Sequence, residues 1–115
     1  MPEIVVKGVQ ITLAGLLTLR EINLVAADRS VTGILGPSGC GKSTLFNIIS
    51  GLMKPDKGSV FIGGGDVMGK TGLVSYMHQK DLLLPSLNVL DNVSIPLVLR
   101  GMPRKAARTE AARHL

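Results

Sequence analysis

The chain has 115 residues, of which 45% are hydrophobic and 3% aromatic, and its formal net charge is +5. This length is that of one domain and the aliphatic content suffices for one core, so a multidomain machine and a natively disordered chain are excluded. A single cysteine excludes an internal disulfide framework and fits a reducing cytoplasm. No apolar run approaches the ~20 residues of a membrane span, and we expect no secretion leader and no direct membrane span.

Strands are predicted first along the chain. Alternating or β-branched apolar runs predict them at residues 4–6, 9–13, 19–25, 31–35, 60–62 and 73–77. The run at 31–35 is too brief for several helical turns, so a buried strand is expected there. The sequence Gly-Gly-Gly-Asp at residues 63–66 predicts a tight reversal with positive φ.

Three helices are predicted among and after these strands. The first begins near Lys42 and has one apolar face, formed by Leu45, Ile48, Ile49 and Leu52. The second begins at residues 88–93 and is limited or kinked by Pro96. The third runs from Arg104 to Leu115, with Pro103 as a favourable first residue.

The positive charge is concentrated at the C-terminal end. Residues 1–99 carry eight Lys or Arg against seven Asp or Glu, whereas residues 100–115 carry five against one. No aromatic residues interleave with these cations to stack bases, and a short basic helix is more often a solvated face than a nucleic-acid reader. We therefore expect no nucleic-acid partner.

Residues 36–44 read Gly-Pro-Ser-Gly-Cys-Gly-Lys-Ser-Thr and contain the phosphate-binding pattern known as Walker A, or P-loop. The pattern requires a strand before it and a helix that begins inside it, and both are predicted here. Glycines in such a loop let backbone N–H groups approach phosphates, and the helix N-terminus favours an anion. The alternative is a glycine-rich turn with an incidental lysine.

Each position of the loop has an expected role in nucleotide binding. Lys42 places a cation on the β- and γ-phosphates, Ser43 offers its hydroxyl to Mg²⁺, and Thr44 can donate to an α-phosphate oxygen. The predicted nucleotide-binding residues are Gly36, Pro37, Ser38, Gly39, Cys40, Gly41, Lys42, Ser43 and Thr44. Cys40 is interpreted as a small residue that fits the loop, because no histidine lies near it in sequence to make a catalytic thiol.

The chain around this loop resembles ATP-binding-cassette (ABC) transporter ATPases. The resemblance rests on residues 36–45, on Ile-Ser-Gly-Leu at 49–52, and on Pro55 and Gly58. Residues 76–85 and 88–93, about thirty positions further on, look like that family's Q-loop region. The likeness covers essentially the whole chain. The residues of these motifs are most similar to those of bacterial importers of the nitrate, sulfonate, taurine and thiamine-precursor group.

This resemblance implies an incomplete α/β P-loop NTPase of the ABC type. Residues 1–115 would be the N-terminal portion of one ATPase domain, with a β-rich and P-loop part at 1–99 and the start of a helical subdomain at 100–115. Gln79 is implied to be catalytic and, with Ser43, to contact Mg²⁺. An ordinary polar residue that ends a strand is the alternative for Gln79. Leu82, Leu83, Leu84 and Leu87 are expected to be partly core, in a neighbourhood where the family receives the permease.

The resemblance also implies cofactors, partners and location. ATP and Mg²⁺ would bind, a second ATPase subunit would complete the site, and the Q-loop region would contact membrane permease subunits. The protein would lie in the cytoplasm, peripheral on the inner face of the bacterial cell membrane, and would power import of a small solute. A soluble ABC-type ATPase of DNA repair or translation and a non-catalytic truncated remnant are the alternative hypotheses.

Two departures from the family pattern qualify the expected activity. The family usually stacks an aromatic residue on adenine from a loop before Walker A, but no aromatic precedes Phe46 and the alignment places Leu13 near that position. Residues 1–115 contain no counterpart of the family's signature motif, Walker B carboxylates, D-loop or switch histidine; Asp81, Asp91 and Glu110 fit none of these contexts. We therefore expect nucleotide binding, but no ATP turnover, from the chain alone.

Overall fold

A computed structural model describes residues 2–37, 39–67 and 69–115, which form two compact units that divide between Met77 and His78. No helix within these described ranges is long and apolar enough to cross a membrane. The first unit contains a sheet and one helix, and the second contains two helices. The α/β class predicted from sequence is confirmed.

The first unit is built on a four-stranded antiparallel sheet in the order β2-β1-β3-β4. Its strands are β1 at Ile4–Leu13, β2 at Leu16–Ala26, β3 at Lys57–Ile62 and β4 at Gly65–Asp66. Gly63 and Gly64 join β3 to β4 with φ of 60° and 84°, which confirms the predicted reversal. Helix α1, at Lys42–Ile49, packs on this sheet through Leu45, Ile48 and Ile49.

The two predicted strands at 4–6 and 9–13 are one strand with a bulge. Gly8 has φ of 59°, and the pairing register shifts between Val6 and Val9. The extra residue restores the alternation, so that both valines are buried in the same core. The Asn23 side chain accepts a hydrogen bond from the Gly8 N–H at 2.8 Å, which satisfies a donor that the bulge removes from the ladder.

Two predicted strands do not form. Residues 31–35 and 73–77 have no strand structure, and no backbone hydrogen bond joins residues 31–35 to another described segment. Val31 and Leu35 have exposed fractions of 102% and 98%, and only Ile34 of this run packs partly against the core. A β-branched run becomes a strand only when a neighbouring backbone pairs with it, and the described residues supply no such neighbour here.

Helix α1 is shorter than the apolar spacing predicts. It ends at Ile49, with Ser50 as its C-cap and Gly51 in the left-handed region at φ 85°. A Cβ on Gly51 would collide with the Lys70 carbonyl oxygen, so glycine is required at this turn. Leu52 consequently lies outside the helix and is exposed, and its assignment to the buried face was wrong.

The second unit is a pair of helices, α2 at Val89–Leu99 and α3 at Arg104–Ala112. Asn88 caps α2, and its side-chain oxygen accepts a hydrogen bond from the Asp91 N–H at 2.8 Å. The expected limit at Pro96 was wrong, because α2 continues through it to Leu99. The proline removes only one backbone donor, and the N–H groups of residues 100–102 still bond to carbonyls of the last turn. The other predicted outcome, a kink at Pro96, stays a prediction.

Helix α3 packs through small residues. Ala107 and Ala111 are fully buried, one turn apart on one face of the helix. Pro103 occupies the N-cap position and Arg104 is the first helical residue. The predicted end at Leu115 was too late, since the helix ends at Ala112 and the last three residues form turns.

Candidate functional site

The loop before α1 has a backbone that only glycine adopts readily. Gly39 and Gly41 have φ of 82° and 96°. A Cβ on Gly41 would lie 2.7 Å from Leu19 Cδ2 and 3.2 Å from the Thr18 carbonyl oxygen, so β2 leaves no room for a side chain there. A Cβ on Gly36 would lie 2.7 Å from Cys40 Sγ. The three glycines therefore permit a compact loop that bends back beside β2.

The first turn of α1 presents unused hydrogen-bond donors. Gly41 is the N-cap and has no side chain to cap the helix, and the first turn carries no acidic residue. The Leu45 N–H bonds to the Gly41 carbonyl at 2.9 Å, but the Ser43 and Thr44 N–H groups have no backbone acceptor among the described residues. These donors lie at the positive end of the helix dipole, which is the environment that binds phosphate.

Lys42 adds a full positive charge to this turn. Its ammonium group folds back over the loop and donates to the carbonyl oxygens of Gly36 and Pro37, the latter at 3.3 Å. The side chain thus joins the beginning of the loop to its end. Neutral carbonyl acceptors hold a cation less strongly than an anion would, so a phosphate can take their place.

The remaining loop residues surround these donors. Cys40 carries an exposed free thiol, and its N–H donates to the Pro37 carbonyl at 3.3 Å. The Ser43 residue is exposed, whereas Thr44 is half-buried. Ser38 was also predicted to bind nucleotide, and it lies outside the described residues.

The side chains that the structure describes do not form a metal-binding cage. No group of three or more His, Cys, Asp or Glu in the described ranges could hold a metal ion. Mg²⁺ needs none, because it usually keeps several waters and is held by one or two protein oxygens together with phosphate oxygens. The Ser43 hydroxyl, beside the free N–H groups of α1, has the chemistry and the exposure to supply one such oxygen.

The β1–β2 hairpin extends the loop with an aliphatic surface. Thr18 and Leu19 contact Gly41, and the pairing continues beyond them to Leu13 opposite Leu16. Leu13, Leu16 and Leu17 all have exposed side chains. Leu13, which the family resemblance aligns near the adenine-stacking aromatic, is thus part of an exposed leucine surface.

Gln79 belongs to the second unit, separate from the unit that contains the loop. It is exposed, in a segment without helix or strand, and the strand predicted to precede it is absent. The structure does not bring Gln79 together with the other predicted site residues in one unit. Its catalytic and Mg²⁺-contacting role stays a prediction.

Sequence reasoning missed the organising residue of the segment after Gln79, which is Asn92. Its side-chain oxygen accepts a hydrogen bond from the Leu84 N–H at 2.8 Å. Its side-chain nitrogen donates to the carbonyls of Leu84, Leu87 and Asn88 at 3.2, 3.2 and 3.0 Å. A polar amide one turn into a helix, after a proline-containing loop, was the signal that could have identified it.

This amide holds residues 84–88 in place and leaves the preceding leucines in solvent. Leu82, Leu83 and Leu84 are all exposed, and Leu87 is half-buried. The expectation that this segment is partly core is correct only for Leu87. We call Leu82–Leu84 the leucine segment.

The comparisons with known proteins agree on one family. The family model described as ABC transporter matches residues 19–115. The taurine import ATP-binding protein TauB of Pseudomonas aeruginosa is 47% identical over 97 residues, which is 84% of this chain and 36% of that protein. The formylaminopyrimidine import ATP-binding protein ThiZ of Halalkalibacterium halodurans is 39% identical over 82% of this chain and 35% of its own length. The chain thus spans about a third of the length of these relatives.

A solved structure supports the same assignment. A dimeric ATP-binding cassette in a post-hydrolysis state, bound to ADP and Pi, superposes with a TM-score of 0.78 and 28% identity. The match covers 96% of this chain and 54% of that one. With the family model matched over most of the chain and the Walker A loop at the start of α1, this chain belongs to the ABC transporter family, as a partial ATP-binding cassette.

Proposed function

We propose that this chain binds MgATP through residues 36–44 as part of the ATP-binding subunit of an ABC importer. The observation that carries the proposal is the first turn of α1, where free Ser43 and Thr44 N–H groups and the Lys42 ammonium meet behind a glycine loop. A bound triphosphate offers oxygens to all three donors at once. The relatives that are named as import ATP-binding proteins support the transport role.

In this proposal the residues exchange partners when the nucleotide arrives. The Lys42 ammonium gives up the Gly36 and Pro37 carbonyls for β- and γ-phosphate oxygens, and the two N–H groups become hydrogen-bonded. The Ser43 hydroxyl holds Mg²⁺, which, when bound, neutralises charge on the phosphates. We propose that Gln79 approaches this metal and the attacking water in the complete protein.

Binding and turnover are separable in this proposal. Residues 1–115 contain no carboxylate assigned to activate water, and the family resemblance implies that a second ATPase subunit completes each site. We therefore expect the chain alone to bind nucleotide without hydrolysing it. Measurable ATP hydrolysis that Lys42→Ala abolishes in the purified chain would contradict this.

A titration tests the nucleotide site. Isothermal titration calorimetry with ATP and Mg²⁺ should give binding to the unaltered chain and at least a tenfold weaker affinity for Lys42→Ala. Lys54→Ala removes the same charge from an exposed position outside the loop and should leave the affinity unchanged. Equal affinity for all three proteins would overturn the proposal, with circular dichroism to show that each is folded.

We further propose that the leucine segment contacts a permease subunit of the membrane. Its exposed apolar side chains form a surface of the kind that docks another protein, and Asn92 holds the backbone at Leu84, the end of the segment. Cross-linking from Leu83→Cys in a Cys40→Ser background should capture the permease of a reconstituted transporter. Val25→Cys, an exposed position in β2, is the control and should not. Recovery of nucleic acid instead of a permease would favour the soluble alternative.

A further inference from the structure

The second unit contains a groove that the nucleotide site does not use. It is a shallow, open depression of about 870 Å³, lined by Leu90 of α2 and by Arg104, Lys105, Arg108, Thr109 and Ala112 of α3. Three of its six lining residues are cations, and the floor between them is made of small or aliphatic side chains. We call it the basic groove.

The acidic residues nearby leave most of this charge uncompensated. Asp91 Oδ1 lies 3.1 Å from Arg108 Nε, but the N–H does not point at it as a hydrogen bond, so this ion pair is poorly aligned. Glu110 is occupied by Arg113 at 2.9 Å and by His114 at 3.4 Å. Arg104 and Lys105 make no ion pair within the described part of the chain.

Two of these cations lie at the positive end of the α3 helix dipole, which is unfavourable for a positive charge. Arg104 and Lys105 are the first residues of α3, whose N-terminal end is positive, and the first turn carries no acid. Cations at this end of a helix are unfavourable, whereas an acidic residue would be favourable. Because an anion in the groove would offset both the side-chain charges and the helix dipole, the arrangement fits an anionic occupant.

The groove discriminates among anionic partners. No aromatic side chain lines it, so it has no platform for stacking bases. The lining residues of α3 include no large apolar side chain that could insert into a bilayer. Arg104 and Arg108 stand one helical turn apart, about 6 Å along the axis, a spacing that successive carboxylates on a peptide can match.

We propose that the basic groove binds an acidic segment of a partner protein, with carboxylates on Arg104, Lys105 and Arg108 and a small apolar side chain against Leu90. This surface is distinct in sequence from residues 36–44 and from the leucine segment. The proposal therefore does not depend on nucleotide binding.

A labelled peptide tests the proposal on the intact chain. The probe is a fluorescein-labelled octapeptide with alternating glutamates, separated by leucine and alanine, and binding is followed by anisotropy at low salt and at 0.15 M salt. We expect saturable binding that Arg104→Glu together with Lys105→Glu weakens at least tenfold. The control is Arg20→Glu with Lys54→Glu, which changes the net charge equally at exposed positions of the first unit. This double variant should weaken peptide binding less than twofold.

Further binding measurements distinguish between the possible occupants of the groove. The same peptide with glutamine for each glutamate should not bind, and Arg104→Gln with Lys105→Gln provides a milder variant if charge reversal unfolds α3. An equal loss of peptide affinity in Arg104→Glu with Lys105→Glu and in Arg20→Glu with Lys54→Glu would show non-specific charge attraction and overturn the proposal. Binding of phosphatidylglycerol vesicles or polyphosphate through Arg104 and Lys105, with no binding of the peptide, would overturn it as well.

Discussion

The contact between Gly41 and β2 gives the sharpest test of how the P-loop is held. Gly41→Ala would place a methyl group 2.7 Å from Leu19 Cδ2 and 3.2 Å from the Thr18 carbonyl, on a backbone with φ of 96°. Gly39→Ala is a matched control, since its φ is also positive, at 82°, but nothing lies within 4 Å of the added Cβ. The two substitutions share the backbone penalty and differ in the collision with β2.

The magnitudes follow from these two terms. A left-handed backbone costs a non-glycine residue roughly 1–2 kcal/mol, which is the whole effect expected for Gly39→Ala. Leu19 is a buried core residue, and forcing a methyl group against it adds about 1–3 kcal/mol of overpacking. We therefore expect a loss of roughly 2–5 kcal/mol in the free energy of unfolding for Gly41→Ala.

Urea unfolding followed by tyrosine fluorescence measures this loss in the first unit. The chain has one tyrosine and no tryptophan, and the Tyr76 ring lies 6.3 Å from the Phe46 ring of α1. A double-mutant cycle with Leu19→Ala, which removes the colliding methyl, should give a coupling energy of about 0.5–3 kcal/mol. Equal destabilisation by Gly39→Ala and Gly41→Ala, or no coupling with Leu19, would refute the proposed contact.

Three further outcomes are expected. Asn92→Ala removes the amide that bonds four backbone groups of residues 84–88, and it should destabilise the second unit by about 1–3 kcal/mol, read from hydrogen exchange in α2. Leu13→Tyr should raise the affinity for ATP by roughly three- to tenfold in calorimetry, since aromatic contacts are worth about 0.5–1.5 kcal/mol beyond area; an unchanged affinity would show that the hairpin does not face the base. Leu35→Lys should change the free energy of unfolding in urea by less than about 0.5 kcal/mol, because the side chain is exposed; a larger loss would show that Leu35 is buried.

The prediction about Leu13 also bears on base selectivity. Aliphatic side chains offer neither a π-face nor a hydrogen-bonding group, so the leucines of the hairpin distinguish one base from another only by shape. Most of the binding free energy would then come from the phosphate contacts of residues 36–44. ATP and GTP should bind with affinities within roughly threefold of each other, and Leu13→Tyr should strengthen both.

The local features of the fold were predictable from the sequence. The glycines of the P-loop, the start of α1 at Lys42 and the Gly63-Gly64 reversal depend on backbone conformations and caps that short stretches encode. Strands β1, β2 and β3 were also predicted, because alternating or β-branched apolar residues mark them, although β1 pairs with β3 across a long stretch of chain, as Ile4 does with Ile62. The family resemblance rests on these same short stretches.

Contacts between residues far apart in sequence determined the features that were not predicted. Residues 31–35 have the composition of a strand, but no backbone among the described residues pairs with them. Leu52 is exposed because α1 ends before it, at a turn where Gly51 lies close to the Lys70 carbonyl. Likewise, the spacing of apolar residues does not indicate that Asn92 forms hydrogen bonds with the loop before α2, or that Arg104 and Lys105 line a groove. Sequence by itself determined the loop and its chemistry, because these are local, whereas pairing and exposure depend on atoms that only the tertiary structure brings together.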